Sequence, residues 1–219
     1  MKRTFGLGRA ALAVVLCVTV MLTGCSTNWI EQAEQIVAVL IPAAANLVTL
    51  VAALQGKGVS AADMQLIQSA GAQASADLEL IRSLIAAYEK ADAAAQPGIL
   101  NQIQAAINGV QANLQGLMPA LHIKDAATQA KVTAVIGIVL SEVQSLAALV
   151  PIVKGKASEA AAVEAVRKAA PLSAQQFVAS YNATLTAKTG NADLDRTTAG
   201  LKIHAHGVVA RVASAGVLK

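Results

Sequence analysis

Four stretches of this chain place apolar residues alternately three and four positions apart. In residues 29–54 the positions are Ile36, Leu40, Ala43, Leu47, Leu50 and Leu54. In the second stretch they are Ile67, Ala70, Ala74, Leu78, Ile81, Ile85 and Tyr88. Ile103, Ile107, Val110, Leu114 and Leu117 form the third set, and Val132, Ile136, Val139, Val143, Leu146 and Val150 the fourth. This spacing lines one face of an α-helix; a strand, whose period is two, would scatter the same residues over both faces. An isolated helix with one apolar stripe must bury it against a neighbour. Four such helices joined by short connections predict an antiparallel, up-down-up-down four-helix bundle over residues 25–154.

The residues between the seams agree. Gly56 and Gly58 end the first stretch, and Ser60 with Asp63 three positions on resembles a capping box for the second. That second helix is expected to run to about residue 95, where Gln96, Pro97 and Gly98 interrupt it. Met118, Pro119 and the residues up to Lys124 read as a loop, and Asp125 as the N-cap of the fourth helix. Pro42 falls inside the first seam, where it removes a backbone donor and should kink the helix or break it in two. Ser69, Ala70, Gly71 and Ala72 are all small, so a neighbouring helix can approach closely there.

Composition supports an all-α class. The chain is 55 % hydrophobic but only 14 % charged, against roughly 25 % charged in ordinary soluble domains. Alanine and unbranched residues, which favour helix, fill much of it. Aromatic residues after position 25 are confined to Trp29, Tyr88, Phe177 and Tyr181.

Charge shifts near Lys154. Residues 25–154 hold six basic and nine acidic side chains, whereas residues 155–219 hold eight and four. The latter region reads as an appended, basic C-terminal segment. A short amphipathic helix is expected over 157–170, and a second opens with the capping pair Ser173 and Gln176 and carries Phe177, Tyr181 and Leu185 on one face. From Gly190 onward the periodicity is weak, which predicts a loosely ordered tail with at most one short element around 201–212 and free tryptic sites at Lys188, Arg196, Lys202 and Arg211.

The N-terminus constrains location rather than fold. Lys2, Arg3 and Arg9 precede an uncharged apolar run over 10–22, which is short for a membrane-spanning helix and has the layout of an export signal. Leu22, Thr23, Gly24 and Cys25 follow it. This order resembles the lipobox of bacterial lipoproteins: an aliphatic residue, a small residue, Gly or Ala, then Cys. The resemblance covers residues 1–25. It implies that residues 1–24 are a cleaved signal peptide and that Cys25 carries a diacylglyceryl group and an acylated amine, of the palmitate type. The membrane is then a partner through covalent lipid. Ser26, in place of the Asp that favours inner-membrane retention in enterobacteria, leans toward an outer-membrane, periplasm-facing anchor.

Cleavage at that point changes the charge balance. The 17 basic residues of the whole chain fall to 14 against 13 acidic ones, so the basic sequence pI does not point to nucleic acid. Cys17 leaves with the signal, and no internal disulfide can form.

No arrangement of side chains points to catalysis. Motifs for nucleophile elbows, phosphate loops and zinc proteases are absent. His122, His204 and His206 read as surface residues, and Asn191, Asp193 and Asp195 have the alternate spacing of a calcium loop but lack its glycine (Arg196) and glutamate (Lys202), so a polar turn is expected. Glu142 flanks the fourth seam; a solvated position is the ordinary expectation, and a buried acid of raised pKa the other. Residues 36–54 and 132–153 are apolar enough to raise the question of membrane insertion, but Pro42, Asn46 and Thr49 interrupt the first and Glu142 the second, which favours buried bundle helices. The sequence thus implies a lipid-anchored, non-enzymatic structural or adaptor protein of the cell envelope, with no metal or cofactor. The alternative is a module that holds an apolar ligand or lipid in its bundle core.

Overall fold

The structure, a computed structural model, describes residues 28–54, 59–151 and 173–204. Residues 1–25, with Cys25, and the helix expected over 157–170 lie outside the described residues, as do His206 and Arg211. Six helices are present and no strand occurs among the described residues: α1 (Asn28–Leu54), α2 (Ala61–Lys90), α3 (Gln96–Ala120), α4 (Ala126–Leu149), α5 (Ala174–Thr186) and α6 (Ala192–Ala199). The first four form the expected bundle, with α1 against α2 and α4, and α3 against α2 and α4. Contacts at both ends fix the alternation of direction. Trp29, at the start of α1, packs edge-on against Tyr88, near the end of α2, with ring centroids 5.2 Å apart. Asp63, at the start of α2, receives the backbone N–H of His122 just beyond α3.

The heptad positions form the core. Leu40, Leu47, Ile67, Leu78, Ile81, Ile85, Ile103, Val110, Leu114, Ile136, Val139 and Val143 have no exposed surface to speak of. Only Ala70 and Tyr88 of the four sets stay partly open. The N-caps also follow the sequence. Ser60 accepts from Asp63 N–H and Asp125 from Thr128 N–H, and Ser173 with Gln176 closes a full capping box. In the Ser60 pair the carboxylate of Asp63 turns to the Ser60 hydroxyl, which donates to it at 2.6 Å, rather than to the cap's backbone.

Three boundaries differ from expectation. Helix α1 runs unbroken through Pro42, because Leu40, Ala43, Ala44 and Leu47 on both sides are buried and hold the backbone helical despite the lost donor. Helix α2 stops at Lys90, five residues early. There the Asp92 carboxylate accepts from the N–H groups of Ala94 and Ala95, and this local turn displaces the helix. Helix α3 continues through Pro119 to Ala120.

The appended segment is more ordered than its periodicity suggested. Helix α5 rests on α4 and α1, and α6 packs on α5 and α1. The tail expected to be free after Gly190 is a docked helix as far as Ala199, followed by residues held by two asparagines. Asn46 donates to Leu201 O at 2.6 Å, and Asn182 donates to Ile203 O and accepts from Ile203 N–H. Eight residues with two buried side chains, Leu194 and Thr198, are too few to register as a seam.

The α1–α2 contact is close because Gly71 faces α1. A Cβ there would lie 3.0 Å from Leu47 Cβ and 3.3 Å from Ala44 O, whereas one at exposed Gly116 would meet nothing. We therefore expect Gly71→Ala to destabilise by about 1–3 kcal/mol through overpacking, in spite of its better helix propensity. Gly116→Ala should stabilise by roughly 0.5–1 kcal/mol. Urea denaturation of both variants checks the pair; a Gly71→Ala as stable as Gly116→Ala would contradict the close approach.

Candidate functional site

Helix α4 carries the unusual chemistry of the described chain. It packs into the bundle and against α5 as well, and Thr128, Lys131 and Glu142 are buried along with its aliphatic residues. The two charged residues among them are treated differently. The Lys131 ammonium, 4 % exposed, donates to Ala187 O at 2.9 Å and to Asp195 Oδ1 at 3.1 Å. Asp195 also accepts from the backbone N–H and hydroxyl of Thr189. Burial alone would raise the Asp195 pKa; the Thr189 hydrogen bonds and Lys131 outweigh it and hold the carboxyl below its ordinary range. This cluster ties the α5–α6 connection to α4.

Glu142 has no such partners. It is fully buried, and neither carboxylate oxygen has a hydrogen-bond partner. Desolvation pushes its pKa up to about 7. The solvated position expected from the sequence is thus corrected: the residue is interior, one position off the Val139–Val143 seam, which a reading of one seam per helix does not see.

The other candidates fall apart spatially. His122 is exposed, with its ring 3.9 Å from the Asp63 carboxylate, and His204 is exposed beyond α6. No group of three His, Cys, Asp or Glu side chains able to hold a metal ion occurs among the described residues. Asn191 caps α6 by accepting from Leu194 N–H, while Asp195 turns to Lys131, so the alternating acids serve a helix start and an ion pair. At the α1 start, Glu34 is raised by partial burial and then by Glu89 and Glu31 nearby. An open groove of about 470 Å³ runs between α1 and α2, lined by Ala45, Val48, Thr49, Ala72, Ser75, Ala76 and Glu79. Helices α1 and α4 are long and apolar enough to cross a membrane by length and composition, and half of each such window is buried inside the fold.

No protein-family model, curated protein or solved structure matches the chain.

The buried acid sets a pH dependence whose sign is definite. Its folded pKa lies above the ordinary 4.5, so the native state binds more protons than the unfolded chain between about 4.5 and 7, and stability falls as pH rises through that window. Ionisation of the folded protein carries a penalty on the order of 3 kcal/mol. Glu142→Leu should raise the melting temperature at pH 8 and do much less at pH 5; an equal effect at both would show that the carboxyl is not titrating.

The Lys131 cluster yields a second expectation. Asp195→Ala leaves the buried ammonium with only a carbonyl and frees the Thr189 loop. Limited trypsin digestion should cut the parent chain slowly at Arg196 and the variant rapidly. Unchanged rates would mean that α6 is held by Leu194 and Thr198 alone.

Proposed function

We propose that this chain is a lipid-anchored, non-enzymatic module of the bacterial cell envelope, attached through Cys25 and acting by interaction with another envelope component. The observation that carries the reading is the order Leu22, Thr23, Gly24, Cys25 behind a basic n-region and an apolar run. The start of α1 at Asn28 supports it, because three residues of extended chain reach only about 10 Å. A lipid on Cys25 holds one end of the bundle directly at the bilayer, the end made by the start of α1, the end of α2 and the start of α3. Acyl burial at about 0.8 kcal/mol per CH₂ makes two or three chains a stable anchor where one is marginal. Ser26 favours the periplasmic face of the outer membrane.

The surface suits interaction rather than turnover. Helix α3 contains no charged residue, and its exposed positions are Gln, Asn, Gly, Ala and Pro. The α1–α2 groove is lined by small side chains that admit a close-packed helix. Such faces select partners by shape, with little electrostatic discrimination.

Cys25→Ser should abolish acyl labelling and move the protein from the membrane to the soluble fraction. A variant that is still acylated and still pellets with membranes would overturn the proposal. The alternative, a bundle that parts around an apolar ligand or lipid, is distinguished by mass spectrometry of the purified, non-acylated variant. Stoichiometric co-purified lipid favours that reading, and a crosslinked protein partner in intact envelopes favours the adaptor.

A further inference from the structure

On the side turned away from the bundle, α3 carries a second line of residues at heptad spacing. Asn101, Ala105, Asn108, Ala112 and Gln115 are all exposed and follow one another at intervals of four, three, four and three. The buried set of Ile103, Ile107, Val110, Leu114 and Leu117 has the same intervals on the opposite face. The exposed line alternates amides with alanines. Among the described residues the amides of Asn101, Asn108 and Gln115 have no hydrogen-bond partner, whereas Gln104 on the flank donates to Pro151 O at 3.1 Å.

Charge is missing from this side of the molecule. Helix α3 has no ionisable side chain along its 25 residues, and the exposed residues of its neighbour α4, Ala130, Ala134, Ser141 and Gln144 among them, are uncharged as well. Helix α2, by contrast, exposes Arg82, Glu89 and Lys90. At the α2 flank the half-buried Asp77 lies beside Gly109 and accepts from Gln73 at 2.9 Å, so it borders the exposed line without belonging to it.

A surface of this kind is complementary to itself. An amide donates and accepts at once, so a second Asn or Gln satisfies both of its ends, whereas a charged line meeting its own copy would be repelled. Alanine layers let two helix axes approach to about 8 Å, close enough for the amides of the layers between to reach each other. The area is also sufficient. Helix α3 is about 37 Å long, and with the α4 rows roughly 10 Å to its side the uncharged face measures on the order of 700 Å², near the roughly 800 Å² that each partner of a stable complex contributes.

We propose that this face joins two copies of the chain in a parallel homodimer, α3 against α3, with Asn101 on Asn101, Ala105 on Ala105 and Asn108 on Asn108. The amide layers hold the register, since a shift by one layer would bury each amide against alanine. The parallel sense rests on the proposed Cys25 anchor, because both lipids then reach one bilayer; the pairing of the α3 faces does not depend on it.

Disulfide trapping in the full chain tests this. Cysteine is introduced singly, as Asn101→Cys, Asn108→Cys or, for comparison at an exposed position of α2, Ser83→Cys, with the parent chain as the blank for Cys17 and Cys25. Under mild oxidation of the membrane and soluble fractions, Asn101→Cys and Asn108→Cys should each give at least 10-fold more linked dimer than Ser83→Cys. Adding Ala105→Glu and Ala112→Glu to Asn108→Cys should cut the product at least 5-fold while the helical circular dichroism stays unchanged. Equal trapping by Asn108→Cys and Ser83→Cys, or trapping that survives the two glutamates, overturns the dimer. A chain in which Asn101→Cys links to Gln115→Cys and not to itself overturns the parallel sense. A chain that fractionates as soluble removes the Cys25 anchor, and the same comparison of Asn108→Cys with Ser83→Cys in that fraction still decides the pairing.

Discussion

Helix α4 is buried on two faces, and the rest of the architecture depends on that. A bundle helix ordinarily hides one stripe and wets the other. Here the seam of Val132, Ile136, Val139, Val143 and Leu146 completes the bundle, while α5 also rests on α4 and Lys131 reaches Ala187 O and the Asp195 carboxylate. Helix α6 in turn packs on α5 and α1, so that segments of 13 and eight residues, which cannot form a core by themselves, are held by the bundle.

The same double burial explains the contrast between the two charged residues of α4. Lys131 sits where the α5–α6 connection supplies a carbonyl and a carboxylate, so its charge is retained and becomes a point of attachment. Glu142 sits where neither carboxylate oxygen finds a hydrogen-bond partner, so burial favours its protonated form instead. A chain with only 14 % charged residues has few cations to place opposite a buried acid. The opposite shift occurs at the helix starts, where hydrogen bonds from Ser60 and from Thr128 hold Asp63 and Asp125 below their ordinary range. Those caps lose their contribution as acid protonates them, and Glu142 loses its own as base ionises it. Together they place the stability optimum in mild acid.

Much of this fold was legible in the sequence because burial in a bundle is periodic. Seam positions such as Leu47, Ile81, Ile107 and Val139 could be named from spacing alone, and the caps at Ser60, Asp125 and Ser173 from residue type. What spacing could not reveal was anything that depends on a second neighbour. Glu142 looked solvated because it lies one position off the Val139–Val143 seam, yet that position is interior. Helix α6 was missed for a related reason: its order comes from the Lys131–Asp195 pair and from Asn46 and Asn182, contacts 21 to 155 residues away in the chain. One signal was present, the Asn191 cap ahead of Asp193 and Asp195, which is the composition of a helix start. The lipid attachment at Cys25 is a matter of motif alone and remains a proposal.

The scarcity of aromatic side chains ties these features together. Large rings hold helices apart and leave irregular gaps that water or a polar partner can enter. Where rings do occur they pair: Trp29 at the start of α1 with Tyr88 near the end of α2, and Phe177 with Tyr181 on α5. Between them the contacts are mostly aliphatic, and at Gly71 α1 and α2 lie so close that an added Cβ would sit 3.0 Å from Leu47 Cβ. Glu142, buried with both carboxylate oxygens unpartnered, meets no such accommodation for a charge, and its ionisation is answered by loss of stability in the fold.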